Sequence, residues 1–77
     1  MTNEEYYRSW AKEYEATIND LTERIEGLRS KMKGASPSEL VSLENRIGIL
    51  CAMRRSNMDV YDILFKRAIE ERKRALR

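Results

Sequence analysis

Residues 34–39 constrain the fold most, because signals that end a helix lie there directly beside signals that begin one. Lys31 and Lys33 place positive charge where the last carbonyls of a helix point outward. Gly34 can adopt the left-handed conformation that closes many helices. A first helix, with Asn3 as its N-cap, is therefore predicted to end just before this stretch.

A second helix is predicted to begin inside the same stretch. Ser36 can act as its N-cap, and Pro37 suits the first helical position. Glu39 can reach back to the backbone amide of Ser36 and complete a capping box. We therefore expect an all-α fold, an antiparallel hairpin of two helices over about residues 3–33 and 37–75. All 77 residues then form a single helical-hairpin domain.

The composition agrees with long amphipathic helices. Charged residues make up 36% of the chain and apolar residues 42%, with only three glycines and one proline. Cys51 is the single cysteine, so the chain cannot form the internal disulfides that a small secreted domain usually needs. The acidic start at residues 1–5 lacks the apolar core of a signal peptide, and no apolar run is long enough to span a membrane. We expect a cytoplasmic protein without membrane contact.

The chain offers little for catalysis. It contains no histidine, which removes the commonest general base and the commonest metal ligand. No phosphate-binding glycine loop, cluster of metal ligands or nucleophile beside a base can be recognised. The sequence therefore predicts that the protein is not an enzyme and takes no cofactor, metal or small-molecule substrate.

The first helix carries one apolar seam whose members alternate in steps of four and three, as in helices that pack side by side. Tyr6 and Trp10 lie beside this seam. They either cover the edge of a bundle core or form a contact surface for another chain, where both residue types are favoured. The seam consists of Tyr7, Ala11, Tyr14, Ile18, Leu21, Ile25, Leu28 and Met32.

The second helix carries two apolar stripes on different faces. The main stripe should meet the first helix, so that facing residues have numbers that sum to about 70. The second stripe consists of Ile49, Met53, Val60 and Ile63, and Leu64 lies between the two stripes. The main stripe consists of Leu40, Leu43, Ile47, Leu50, Cys51, Met58, Tyr61, Phe65, Ala68 and Ile69.

A two-helix hairpin covers only the main stripe, so the second stripe needs another chain. A second copy of the same chain would give a four-helix bundle with a two-fold axis near residue 56. We therefore expect a homodimer whose interface includes the second stripe and Leu64. A different protein that binds the same stripe is the alternative.

Polar residues interrupt the main stripe at its centre. Arg54 lies within the stripe and needs a partner, for which Glu13, Glu15 and Asp20 are the nearest candidates. One interpretation is a polar layer that fixes how the helices align. The other is an anion or partner site built around Arg54, Arg55 and Asn57.

Positive charge is concentrated in the last twelve residues, whereas the first helix begins with an excess of acidic residues. An antiparallel hairpin places these regions side by side, so charge complementarity is one explanation. Contact with nucleic acid is the other, because phosphate binding needs several basic groups on one surface. Its candidate residues are Arg54, Arg55, Arg72, Lys73, Arg74 and Arg77.

We therefore expect a non-enzymatic protein–protein interaction module, an adaptor, inhibitor or accessory protein that acts as a homodimer. Small helical hairpins are frequent among accessory proteins of phages and mobile elements, an analogy at the level of fold alone. The alternative is a small nucleic-acid-associated protein that uses the basic end of the second helix.

Overall fold

A computed structural model describes residues 2–76 and contains two helices, α1 (Asn3–Lys31) and α2 (Pro37–Ala75). They pack against each other as an antiparallel hairpin that measures 61 × 14 × 14 Å. At a rise of about 1.5 Å per residue, the 39 residues of α2 account for nearly the whole of that length. The prediction of an all-α, two-helix hairpin is confirmed.

At the start of α2 the Ser36 half of the predicted capping box is present, whereas the Glu39 carboxylate accepts no hydrogen bond from the Ser36 amide. The Oγ atom of Ser36 accepts a hydrogen bond from the Glu39 amide at 3.4 Å, and Pro37 is the first helical residue. At the start of α1 the cap is Thr2 rather than Asn3, because the Thr2 hydroxyl accepts from the Glu5 amide at 3.1 Å. The predicted N-cap of α1 was thus wrong by one residue.

The end of α1 differs from the prediction. The helix stops at Lys31, and the Met32 amide donates to the Arg29 carbonyl at 3.1 Å, a bond that tightens the last turn. The Ala35 amide then donates to the Met32 carbonyl at 3.3 Å. Because this closure needs no left-handed residue, Gly34 keeps a negative φ, as does every residue in the described part of the chain.

The core lies between two rows of heptad spacing. The predicted seam of α1 is confirmed, since each of its eight residues is buried or half-buried. On α2 the inward row differs from the predicted main stripe, because Leu64 is buried while Met58 and Phe65 are exposed. The inward row of α2 consists of Leu40, Leu43, Ile47, Leu50, Arg54, Asn57, Tyr61, Leu64 and Ala68.

The alignment of the two helices is shifted slightly from the predicted one. Arg8 and Phe65 line one groove between the helices, and Gly27 and Arg46 line another. Facing residues therefore have numbers that sum to about 73 rather than about 70. With this alignment, α2 beyond about residue 70 extends past the start of α1.

Candidate interaction face

A groove runs along each long side of the hairpin. The first has a volume of about 470 Å³, with Gly27, Leu28, Ile49 and Leu50 as its apolar part. Three basic residues border it. The second groove has a volume of about 430 Å³ and mixes apolar residues with charged ones. The basic border of the first groove consists of Arg24, Lys31 and Arg46, and the second groove is lined by Glu5, Arg8, Ser9, Ala11, Lys12, Glu15, Tyr61 and Phe65.

Heptad spacing places two predicted contact surfaces on the side of the first groove. Trp10 lies two heptads before Arg24, and Tyr6 lies three heptads before Gly27. Residues separated by whole heptads share one side of a supercoiled helix, so both aromatic residues lie on the side of the first groove. This relation between Tyr6, Trp10 and the second stripe was not recognised from the sequence, although the heptad positions contained it.

The second stripe of α2 lies on that same side. Met53 and Val60 follow Arg46 by one and two heptads, and Ile63 follows Ile49 by two. Ile49 and Ile63 are 63% and 54% exposed, so the hairpin itself does not cover this stripe. We call the combined surface the apolar face. It consists of Tyr6, Trp10, Ile49, Met53, Val60 and Ile63.

Leu64 does not belong to the apolar face, although it was predicted as an interface residue. It is 4% exposed and packs in the core between the helices, as Ala68 does one turn further on. Its side chain therefore has no surface left for a partner. Val60 is half-buried, so it presents only part of its side chain.

The aromatic end of the apolar face is already packed within one chain. The ring of Tyr6 meets the rings of Tyr7 and Trp10 edge to face, with centroid distances of 5.6 and 5.8 Å. Such pairs contribute about 0.5–1.5 kcal/mol beyond the burial of their area. The orientation of the Trp10 ring is thus supported by Tyr6, while 40% of the residue remains exposed.

Gly27 leaves an open notch in the first groove. A Cβ atom added at this position would meet no other atom within 4 Å. A glycine inside a helix costs about 1 kcal/mol relative to alanine, and nothing within the hairpin offsets that cost. The space above Gly27, between α1 and Ile49 of α2, is therefore vacant in the single hairpin.

Arg54 forms a hydrogen bond from α2 to α1. Its Nη1 atom donates to the Thr22 hydroxyl at 3.2 Å, and that hydroxyl donates to the Ile18 carbonyl at 2.9 Å. The acidic partners expected for Arg54 were wrong, since its bond goes to Thr22 while Asp20 pairs with Arg24 along α1 at 3.1 Å. Asn57 follows in the same row and donates to the Met53 carbonyl at 2.8 Å, while α2 continues unbroken.

Replacing Arg54 with leucine is expected to raise the free energy of unfolding by about 1 kcal/mol, because a half-buried charge gives way to apolar area in the seam. Thr22 keeps its bond to the Ile18 carbonyl, so no polar group is stranded. Urea unfolding monitored by circular dichroism measures the change, and Arg55→Leu, on the exposed surface one residue further, is the control. A loss of stability in the Arg54 variant would instead show that the polar layer is needed for the alignment.

At the basic end of α2, Lys66 and Arg67 lie one heptad before Lys73 and Arg74, so these four exposed residues share one side of the helix. Arg72 is also exposed and points about 100° away from Lys73 around the helix. Arg74 forms an ion pair with Glu71 at 3.2 Å. Arg77 lies outside the described residues. Arg54 and Arg55 lie about 25 Å away along the same helix.

Within residues 2–76 no ion pair joins α1 to α2, so the charge complementarity expected between the helices includes no direct contact. The ion pairs present there all join residues of one helix. The pairs Arg8–Glu4 at 2.8 Å and Arg24–Asp20 at 3.1 Å join residues four apart on the same helix face. The helices are therefore held together by their apolar seam and by the bond from Arg54 to Thr22.

The described residues hold no cluster of three side chains that could bind a metal ion. Cys51 is a free, half-buried thiol. Neither helix, over the residues that the structure describes, is apolar for long enough to cross a bilayer. Comparison of the chain with protein-family models, with curated proteins and with solved structures finds no match.

Proposed function

We propose that the protein is a non-enzymatic interaction module that acts as a homodimer and holds another protein. The apolar face is the observation that carries this proposal. Large apolar side chains on it are about half exposed in the single hairpin, and contiguous exposed apolar surface marks contact with another chain. A second copy is the simplest cover, since two such faces can bury each other in a four-helix bundle.

The small core of the hairpin supports the same proposal. Within residues 2–76, only six apolar side chains are buried, and two packed helices leave every residue near solvent. Burial of the apolar face against a second copy would add a second core layer. Stability would then be linked to protein concentration, as in dimers whose folded monomer is marginal.

The side opposite the apolar face is the surface that the homodimer leaves for a different protein. Phe65 lines the second groove there, and its ring stacks on Tyr61 with the centroids 6.0 Å apart. Met58 precedes Phe65 by one heptad and is also exposed. Aromatic and methionine side chains are enriched at the centre of protein–protein contacts, and polar or charged groups lie at the rim.

Sedimentation equilibrium over a range of micromolar concentrations tests the homodimer. We expect a dimer in reversible exchange with monomer. A chain that stays monomeric and fully helical across this range would overturn the proposal.

The second half of the proposal is tested by affinity capture with wild-type protein and with Phe65→Glu, each confirmed as a dimer beforehand. A protein that binds wild type but not Phe65→Glu supports the proposal that the side with Phe65 binds the other protein. Equal capture by both dimers would overturn that assignment.

A further inference from the structure

The side of the hairpin that carries the apolar face has an exposed aromatic side chain near one end and an open apolar space near the other. Trp10 projects near the open end of the hairpin, with Tyr6 supporting its ring at 5.8 Å. Gly27 forms the notch near the turn, with Leu28, Ile49 and Leu50 around it. The two residues lie 17 positions apart on α1, about 25 Å, so Trp10 cannot reach the notch of its own chain.

We propose that a second copy binds with its turn at the opposite end, so that Trp10 of each copy fills the notch over Gly27 of the other. This inference rests on the proposed homodimer and gives it a defined geometry. The side chain that fills the notch is therefore Trp10 of a second copy, and Trp10 is the only tryptophan in the sequence.

The placement of Trp10 over Gly27 fixes the other pairs, because a two-fold axis makes the numbers of facing α1 residues sum to a constant. Glu13 then faces Arg24 of the second copy, a pair of opposite charges. Tyr6 faces Lys31 of the second copy, which suits a cation over an aromatic ring.

The α2 helices agree with the same placement. Within each hairpin, Gly27 of α1 lies near Arg46 of α2. With this alignment, the two-fold axis that relates the two copies passes α2 between Met53 and Ser56. Ile49 of one copy then faces Val60 of the other, and Met53 lies beside the axis. Ile49 and Val60 therefore cover each other across the two copies, whereas Ile63 faces Arg46 of the second copy at the border of the groove.

The opposite arrangement, with both turns at one end, agrees poorly with the charges. It would place α1 of one copy over α2 of the other at equal height. Glu13 would then face Val60 and Arg24 would face Ile49, so these two opposite charges would no longer meet each other. It would also bring the basic border of the first groove in one copy close to the same border in the other copy, where the like charges repel each other.

Gly27→Leu tests the notch, with Gly48→Leu as the matched control. A side chain at either glycine meets open space within the hairpin, so both variants should fold at least as well as wild type. Gly48 lies one heptad before Arg55, on exposed surface away from the apolar face. We expect Gly27→Leu to raise the dimer dissociation constant at least about tenfold, and Gly48→Leu to leave it unchanged.

The emission of Trp10 provides an independent measurement. In wild type its maximum should move to shorter wavelength as the dimer forms, because the indole leaves water. Gly27→Leu should remain at the longer wavelength at the same concentration. Trp10→Ala should also weaken the dimer, and adding Gly27→Leu to it should cost little more, since the leucine then fills space that the indole no longer occupies.

The outcomes separate the two proposals. A wild-type monomer at every concentration would overturn the homodimer and this geometry together. A wild-type dimer with equal dissociation constants for Gly27→Leu and Gly48→Leu would overturn the geometry alone. Additive losses from Trp10→Ala and Gly27→Leu would likewise show that the two residues do not meet.

Discussion

The double variant Met53→Glu, Val60→Glu is expected to be a folded monomer under conditions in which wild type is dimeric. Both residues lie on the apolar face, and each dimer would bury four carboxylates without cationic partners. Burying unpaired charge costs several kcal/mol, so the dimer should weaken by at least about 3 kcal/mol, or more than about 100-fold. Sedimentation equilibrium measures the change directly.

The control for this variant is Met58→Glu, Val41→Glu. Met53 and Met58 are both 48% exposed, so the two methionine substitutions change similar amounts of exposed apolar area. Met58 and Val41 lie away from the apolar face, and the control should remain a dimer. Equal dissociation of both double variants would show that added negative charge, rather than the position of the residues, controls association.

Replacing Ile25 with alanine is expected to unfold the hairpin or bring it close to unfolding. Ile25 is 1% exposed and is the largest fully buried side chain in the described residues. Removing three buried carbons leaves a cavity in a well-packed site and costs about 2–5 kcal/mol. That is a large share of the stability that a domain of this size can have.

Urea unfolding measures this loss, at one fixed protein concentration because dimerisation would shift the midpoint. Ile25→Val is the graded control and should cost only about 0.5–1.5 kcal/mol. A loss below 1 kcal/mol for Ile25→Ala would mean that the core relaxes around the vacancy. The seam would then be less tightly packed than its burial indicates.

Most of the fold could be predicted from local signals. The cap at Ser36 and the proline after it are properties of a few adjacent residues, and the heptad seam of α1 is visible in the spacing. The face of α2 was harder, because a wheel at 100° per residue drifts by about 20° per heptad relative to a supercoiled helix. Over the roughly seven turns from Leu40 to Phe65, that drift placed Phe65 inside and Leu64 between the stripes, the reverse of the structure.

The partner of Arg54 could not be predicted from the alignment alone. Asp20 lies close to Arg54 in the alignment of the helices, but its side chain is exposed and pairs with Arg24 along α1. A long flexible side chain then selects whichever acceptor lies within reach, here the Thr22 hydroxyl at 3.2 Å. By contrast, heptad positions alone show that Trp10 and Ile63 lie on the same side of the hairpin, once the residues of both helices are assigned to heptads.

The restriction of ion pairs to single helices has a consequence for how the protein responds to ionic strength. Exposed pairs four residues apart contribute only about 0.3–0.5 kcal/mol each, and mobile ions screen them further. Because no ion pair within residues 2–76 bridges α1 and α2, added salt should change the pairing of the two helices very little. A strong dependence of association on ionic strength would therefore report on contacts between chains, which makes salt titration a way to separate folding from assembly.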